Sequence, residues 1–244
     1  MSRMKFLNTE VDNLSMDEAL KRINQLVIER KPSYVVTPNV DHIVKLDSDK
    51  KFREVYEDAD LILTDGMPLI WISKLKGTPI KEKVSGSDLF PKICELSAQK
   101  GYSIFLLGAA EGIAEKAAER LGNKYKNLRI VGTYSPKYGF EKDEKEIDKI
   151  SSIIKLAKPD ILAVGLGAPK QEKFIHEFKD KLEVPVSLAI GASIDFEAGN
   201  VERAPKWMQK YGLEWFYRLC REPKRMFRRY LVDDLRIFRI AIKY

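Results

Sequence analysis

Apolar and amphipathic segments alternate along the first 195 residues of the chain. Six short segments are predominantly apolar, and between them apolar residues recur every three or four positions, as in helices. The apolar segments are residues 33–37, 60–64, 103–108, 128–134, 160–167 and 185–192. Ser15 and Glu18 form a capping box, which predicts a first helix ending near Arg30. Strands that are apolar on both faces belong to parallel sheets covered by helices, so the pattern predicts an α/β fold with a Rossmann-like parallel sheet.

The pattern changes after residue 195, where Gly199 and Pro205 interrupt it. Two helical stretches are predicted beyond this point, at about 205–220 and 223–242. We therefore divide the chain into an α/β core, residues 1–195, and a C-terminal helical appendage, residues 196–244.

The charge is distributed unevenly between these two parts. Residues 201–244 carry twelve lysines and arginines and five acidic residues, which leaves 31 of each sign in residues 1–200. The net charge of +7 therefore lies in the last 44 residues, together with nine of the 24 aromatic residues. A neutral core with a basic, aromatic appendage predicts contact with an anionic partner, which could be a nucleic acid, an anionic membrane or a phosphorylated substrate.

Two stripes of side chains run along the appendage. Arginines recur at spacings of three or four, with a gap near Val232, at Arg218, Arg221, Arg225, Arg228, Arg236 and Arg239. Apolar side chains form the other stripe, at Phe216, Leu219, Met226, Phe227, Tyr230, Leu231, Leu235 and Phe238. Such a segment could lie in a membrane interface with its arginines at the headgroups. The alternative is a surface helix whose apolar stripe packs on the core.

Several classes of protein are excluded by composition. Two cysteines, Cys94 and Cys220, are too few for a disulfide scaffold, and with two histidines they match no zinc motif. The first residues contain no apolar stretch, so we expect no signal peptide. The longest apolar runs are too short for a membrane-spanning helix.

Glycine and small polar residues follow the predicted strands. In open α/β sheets, ligands bind beyond the carboxyl ends of the strands, so these loops predict one crevice. The loops are residues 37–41, 64–66, 108–110, 165–172 and 191–193. Asp65 directly follows an apolar strand and is a candidate general base, although it could instead cap a helix that starts at Met67. Asn39 and Asp41 leave the same alternatives open.

The segment GLGAPKQEKF brings Lys170 and Gln171 to the start of a helix, where they could bind an anionic or carbohydrate group. The alternative is a plain strand-to-helix turn with solvated polar residues. Neither His42 nor His176 lies beside an evident nucleophile. The acidic pairs Asp47/Asp49 and Asp58/Asp60 lie away from the predicted crevice. We therefore expect no metal or cofactor, with arginines and helix dipoles stabilising any departing diphosphate.

Seven motifs, in order along residues 5–231, resemble the WecG/TagA/CpsF family of glycosyltransferases, glycosyltransferase family 26. These motifs are TPNVDH (37–42), ADLILTDGMPLIW (59–71), VSGSDL (84–89), FLLGAAEG (105–112), VGLGAPKQEKFI (164–175), IGASIDFEAGNVERAPKWM (190–208) and GLEWFYRLCREPKR (212–225). The resemblance implies inverting transfer of N-acetylmannosamine from UDP-ManNAc to the C4 hydroxyl of GlcNAc-diphospho-undecaprenol in wall teichoic acid synthesis. It also implies a cytoplasmic protein, peripheral on the inner face of the cell membrane.

The resemblance further implies roles for individual residues. Asp65 corresponds to the general base, and the appendage arginines close over the pocket and hold the diphosphate. The implied substrate-binding residues are Thr37, Asn39, Lys83, Gln171, Arg218, Arg225 and Arg228, and the pattern of the crevice loops adds Gly108 and Lys170. Lys83 stands where the family usually has arginine, which keeps the charge but loses bidentate recognition.

Three alternatives remain at this stage. A relative of the same family could use UDP-N-acetylmannosaminuronic acid or UDP-glucose. An arginine-rich nucleic-acid-binding protein would account for the appendage but leaves the polar loops unexplained. A membrane-surface module without catalysis would account for the appendage alone. Away from the membrane, the apolar stripe could be buried in a homo-oligomer.

Overall fold

A six-stranded parallel sheet forms the centre of the molecule, in the order β4-β3-β8-β7-β5-β6. The computed structural model describes residues 3–244, apart from the side chain of Arg225. The strands of this sheet are β3 (Ser33–Val36), β4 (Leu61–Ile62), β5 (Ser103–Gly108), β6 (Arg129–Tyr134), β7 (Ile161–Gly165) and β8 (Val186–Ala189). The predicted α/β fold with a parallel sheet is confirmed.

Helices cover both faces of the sheet. They are α1 (Met16–Glu29), α2 (Val40–Ser48), α3 (Lys50–Glu57), α4 (Met67–Leu75), α5 (Gly86–Lys100), α6 (Ile113–Lys124), α7 (Glu144–Ala157), α8 (Lys170–Leu182) and α9 (Ser193–Ala198). A short 3₁₀ helix, Phe140–Lys142, precedes α7. The capping box at α1 is confirmed, since Ser15 accepts a hydrogen bond from Glu18 N and the Glu18 carboxylate accepts one from Ser15 N.

Two buried clusters fill the spaces between the sheet and the helices. Along β5, Phe105 and Leu107 enter one cluster, whereas Ile104 and Leu106 enter the other. Successive side chains of a strand point to opposite faces, so a strand buried on both sides must be apolar at every position. This explains why the segments were recognisable from sequence.

An antiparallel hairpin, β1 (Arg3–Phe6) and β2 (Thr9–Asp12), lies beside the sheet and was not predicted. Asp12 pairs with Arg3 at 3.0 Å and accepts a hydrogen bond from Ile62 N at 2.8 Å. The hairpin is thereby attached to the edge strand β4.

The appendage is more segmented than predicted. It contains α10 (Lys206–Lys210), α11 (Glu214–Arg221), α12 (Pro223–Arg228), a π-helical turn (Arg229–Asp233) and α13 (Arg236–Lys243). The single helix expected over 223–242 is therefore wrong, because the wider π-helical turn interrupts it and lets Arg229 and Asp234 face α2. Ile237 and Ile240 of α13 are buried in the core cluster beside α2. Within residues 3–244, none of the helices has the length and hydrophobicity needed to cross a membrane.

Candidate active site

A cavity of about 350 Å³ opens at the carboxyl ends of β3 and β4. The loops after these strands form one wall and the appendage forms the other. Its polar and charged lining includes Asn39, Asp65, Lys83, Ser87, Gln209, Glu214, Arg218, Arg229 and Asp234. Its apolar lining includes Val40, Met67, Pro68, Trp215, Leu231, Leu235, Ile237 and Phe238. Four of the predicted site residues therefore meet here, namely Asn39, Asp65, Lys83 and Arg218.

Asp65 lies in the loop between β4 and α4, and its backbone N donates a hydrogen bond to Pro38 O at 2.8 Å. Helix α4 begins after Gly66, which occupies the N-cap position without a side-chain hydrogen bond. The alternative that Asp65 caps α4 is therefore wrong. Gly66 has a φ of +104°, a conformation that favours glycine and turns the chain sharply after Asp65.

The surroundings of Asp65 raise the proton affinity of its carboxylate. Burial raises the pKa of Asp65 to about 6, opposed by the charge of Lys83, reinforced by Glu214 and opposed again by Arg218. A carboxylate with this pKa is mostly ionised at neutral pH and still binds a proton more strongly than an exposed aspartate does. These are the properties of a general base.

Asn39 has two structural roles. It caps α2, because its Oδ1 accepts a hydrogen bond from His42 N at 3.4 Å. The same oxygen accepts one from Arg229 Nη2, also at 3.4 Å. Asn39 therefore joins α2 to the appendage at the wall of the cavity. Asp41, for which the sequence also left a site role or a capping role open, pairs with Lys45 at 2.6 Å.

Lys83 is held by Asp88, with Nζ 2.9 Å from Oδ2. Arg203 contacts the other oxygen of Asp88 at 2.6 Å and Glu214 at 3.3 Å. Although burial opposes it, these two cations hold the pKa of Asp88 below its ordinary value. The positive charge of Lys83 is thus partly balanced, and Arg203 links α5 to α11.

Arg218 borders two cavities. Its guanidinium lies 5.4 Å from the ring centre of Phe196 and 3.6 Å from Glu214 Oε1. The second cavity, of about 640 Å³, lies between residues 192–204 and residues 217–222. Arg228 is 84% exposed, lies 4.0 Å from Asp233 and lines neither cavity. Arg225 belongs to α12, but its side chain lies outside the described part of the chain.

The remaining predicted residues lie outside both cavities. Thr37 and Gln171 are buried. Lys170 pairs with Glu141 at 3.1 Å. Gly108 has a φ of +119°, and a Cβ at this position would overlap the carbonyl oxygen of Gly165, so the close packing of the ends of β5 and β7 requires glycine here.

Sequence reasoning missed Arg229 and Asp234, which line the cavity from the appendage. Arg229 lies 3.6 Å from Asp41 and 3.9 Å from Asp234. Burial raises the pKa of Asp234 to about 6, although Arg229 opposes the shift. The adjacent pairs Arg228-Arg229 and Asp233-Asp234 were the available signal, because an acidic pair on an otherwise basic segment suggests an internal ion pair.

The family model of the glycosyltransferase WecG/TagA/CpsF family matches residues 4–244. The chain belongs to this family. It is similar to proteins named N-acetylglucosaminyldiphosphoundecaprenol N-acetyl-beta-D-mannosaminyltransferase from three bacteria. The Bacillus spizizenii protein is 35% identical over 81% of this chain and 74% of its own length. The Bacillus subtilis protein is 32% identical over 87% and 81%, and the Staphylococcus aureus MW2 protein is 27% identical over 92% and 87%.

The first cavity brings a carboxylate and positive charge close together. Asp65 can accept a proton, and the charges of Lys83 and Arg218 oppose the rise in its pKa. Proton removal from a hydroxyl and stabilisation of a departing phosphate oxygen can therefore occur in one cavity.

Proposed function

We propose that the protein transfers N-acetyl-D-mannosamine from UDP-ManNAc to the C4 hydroxyl of GlcNAc-diphospho-undecaprenol, in synthesis of the wall teichoic acid linkage unit. The observation that carries the proposal is the cavity in which Asp65, with its raised pKa, faces Lys83 and Arg218. Membership of the family and the names of the similar proteins supply the substrates.

The reaction is a direct displacement. Asp65 takes the proton of the C4 hydroxyl of the acceptor. At the same time the oxygen of that hydroxyl attacks the anomeric carbon of the donor. The bond from that carbon to the diphosphate oxygen breaks, and UDP leaves from the opposite face of the sugar. One displacement inverts the anomeric configuration. General-base assistance of this kind contributes about 10²–10⁴-fold to the rate.

Positive charge stabilises the departing diphosphate. Arg218 borders both cavities, so a diphosphate bound where they meet would contact its guanidinium. Lys83 supports the same group from the core side. Arg228 reaches the diphosphate only if α12 moves towards the cavity, because it is exposed in this arrangement. We extend the same diphosphate role to Arg225.

The sugar and the nucleotide occupy the core side of the site. We propose that Asn39, Thr37 and Gln171 form the sugar pocket. Thr37 and Gln171 are buried outside both cavities in this arrangement, so the sugar reaches them only if the surrounding loops open. The loop at Gly108 and the start of α8 at Lys170 complete the donor side. None of these assignments requires a bound metal or another cofactor.

The appendage brings the site to the lipid. Its exposed apolar face comprises Trp207, Phe216, Phe227, Leu231, Leu235 and Phe238. Trp71 and Leu75 of the core are exposed as well. Leu231, Leu235 and Phe238 also line the first cavity. We propose that this face enters the anionic inner leaflet and that the polyprenyl chain of the acceptor leaves the cavity across it.

Arginines and lysines near the leaflet would each add about 1 kcal/mol of attraction. The protein would therefore be cytoplasmic and peripheral on the inner face of the membrane. Away from the membrane, the exposed apolar face could be covered in a homo-oligomer. Sedimentation with and without anionic vesicles tests this part, and an identical species in both conditions would contradict it.

The decisive experiment for the reaction is a donor comparison. The protein is incubated with a GlcNAc-diphospho-polyprenol analogue and, separately, UDP-ManNAc, UDP-N-acetylmannosaminuronic acid or UDP-glucose, and the product linkage is determined by NMR. We expect a β-1,4-linked ManNAc product. Transfer from one of the other donors alone would contradict the proposed substrate, and no transfer from any donor would contradict the proposed activity.

A further inference from the structure

A buried carboxylate and a buried imidazole lie next to the first cavity without lining it. Glu172 of α8 is 1% exposed, and His42 of α2 is also buried. Glu172 Oε1 lies 3.3 Å from His42 Nε2. The two residues are 130 positions apart, and their helices follow β7 and β3, the two strands on either side of β8. The pair therefore joins the first turns of two helices, α2 and α8, that begin at the predicted crevice.

Glu172 fixes the side chain of Gln171. Gln171 Nε2 donates a hydrogen bond to Glu172 Oε1 at 2.7 Å, and Gln171 Oε1 accepts one from Gly191 N at 3.1 Å. Both ends of the amide are thus bonded, which determines which way it faces. The contact also ties the loop after β7 to the loop after β8.

His42 fixes the side chain of Asn39 in a similar way. Its Nδ1 lies 2.7 Å from Asn39 Oδ1, the oxygen that also accepts a hydrogen bond from Arg229. The opposite side of the ring faces Glu172. A continuous series of polar contacts therefore runs from Gly191 through Glu172 and His42 to the appendage.

This arrangement carries a cost in stability. Within residues 3–244, Glu172 Oε2 is buried without a hydrogen-bond partner, and so is the hydroxyl of Tyr56. Burial, followed by the charge of Glu172, raises the pKa of Tyr56 well above its ordinary value. Buried ionic groups with unsatisfied atoms destabilise a fold relative to apolar side chains of similar size. Stability therefore does not explain a carboxylate at this position.

We infer that Glu172 is a positioning residue that, with His42, holds Gln171 and Asn39 in the orientations the transfer reaction requires. It does not touch the substrate itself. The inference rests on the proposed function, because Gln171 and Asn39 are assigned there to the sugar pocket. Small displacements of positioning groups reduce turnover strongly, since the reacting atoms must be closely aligned.

The first test is the nearly isosteric substitution Glu172→Gln in the full-length protein. It places an amide where the carboxylate accepted its contacts, so we expect kcat to fall about 10–100-fold, with an unchanged or higher Tm. His42→Gln changes the same series of contacts from its other end and should also lower kcat. Wild-type kcat in both variants would overturn the inference.

The second histidine–carboxylate pair of the chain provides a matched control. His176 lies on the same helix as Glu172, and its Nε2 is 2.8 Å from Asp58 Oδ2 at the protein surface. His176→Gln and Asp58→Asn should each change kcat less than twofold. An equal loss of kcat in these controls would show that any such pair on α8 matters, which would overturn the specific role of Glu172.

A double-mutant cycle separates positioning from a general structural effect. In a protein that already carries Asn39→Ala and Gln171→Ala, Glu172→Gln should reduce kcat less than threefold further, because its targets are gone. A further fall in kcat as large as that caused by Glu172→Gln in the otherwise wild-type protein would overturn the inference.

Side-chain amide NMR signals supply a readout that does not depend on turnover. The signals of Asn39 and Gln171 should shift or broaden in Glu172→Gln and stay unchanged in His176→Gln. Unchanged signals in both variants would overturn the inference. If wild-type protein transfers no ManNAc while the signals still respond, the proposed function fails and the positioning of the two amides stands.

Discussion

The crevice loops of the core and the C-terminal appendage both line the first cavity, but they are held in different ways. In the core, Asn39 and Asp88 each contact several partners, and the strands beneath them are buried. In the appendage, only a few apolar side chains such as Met226, Ile237 and Ile240 are buried, and most of the others are exposed. The core can therefore hold reacting groups in fixed positions. The exposed apolar side chains of the appendage, in contrast, can move from a protein contact to the lipid of a membrane.

The sharpest test of the core's role is Asp65→Asn. It removes the proton acceptor, so we expect kcat to fall by about 10²–10⁴-fold while UDP-sugar binding persists. Turnover and calorimetric donor binding check this. Retained turnover would show that a group other than Asp65 acts as the general base.

The same variant tests the electrostatics of the site through stability. Because the pKa of Asp65 is raised to about 6, its contribution to stability falls as the pH rises from about 4 to about 6. Asp65→Asn should therefore have a higher Tm than wild type above pH 6 and a similar Tm near pH 4. A lower Tm at every pH would contradict the burial of this charge.

Beyond the diphosphate contact of Arg218, the appendage should contribute to catalysis through the contacts of Arg229 with the core. Arg229→Gln breaks the contacts with Asn39, Asp41 and Asp234, so we expect kcat/KM to fall at least about tenfold. Arg236→Gln, on an exposed position of α13, is the matched control. Equal losses in both variants would mean that net charge, and not the contact with the core, is what matters.

The pH profile distinguishes the core's base from the cations around it. Because Asp65 must be ionised to accept a proton, kcat/KM should be about tenfold lower at pH 5 than its plateau above pH 7. Asp65→Asn should lose this step along with most of its activity. A flat wild-type profile between pH 5 and pH 8 would contradict the assignment.

Membrane binding should depend mainly on the appendage. The double substitution Phe227→Ser and Phe238→Ser removes two exposed rings, and we expect partition onto anionic vesicles to weaken about tenfold or more. Leu156→Ser, at an exposed position of α7 in the core, should leave partition unchanged. Vesicle co-sedimentation measures both, and equal partition of all three proteins would contradict the proposed docking face.

Lys83→Arg should have the smallest effect. A guanidinium can keep the contact with Asp88 and add a bidentate contact to a phosphate, so we expect the KM for the donor to fall about two- to fivefold. Steady-state kinetics check this. An increase in KM would indicate that the pocket fits only the narrower ammonium group.

Those features that depend on local sequence were predictable. Asp65 could be placed at the crevice because it follows a predominantly apolar strand segment, residues 60–64. The capping box at Ser15 was predictable because it involves only four consecutive residues. The parallel sheet was predictable because each of its strands has a recognisable apolar pattern. The hairpin, the π-helical turn and the role of Arg229 were not, because each depends on how distant segments pack.

Local pattern therefore established the class of fold and the edge of the sheet where chemistry occurs. Alternating helical and predominantly apolar segments require a covered parallel sheet, and parallel strands bring their carboxyl ends to one edge. The tertiary structure alone decided which side chains meet at that edge. Arg229 reaches Asn39 across 190 residues, and Glu172 reaches His42 across 130. Hydrophobic periodicity specifies which face of a segment is buried, whereas the partner of a buried charge depends on how separate segments come together.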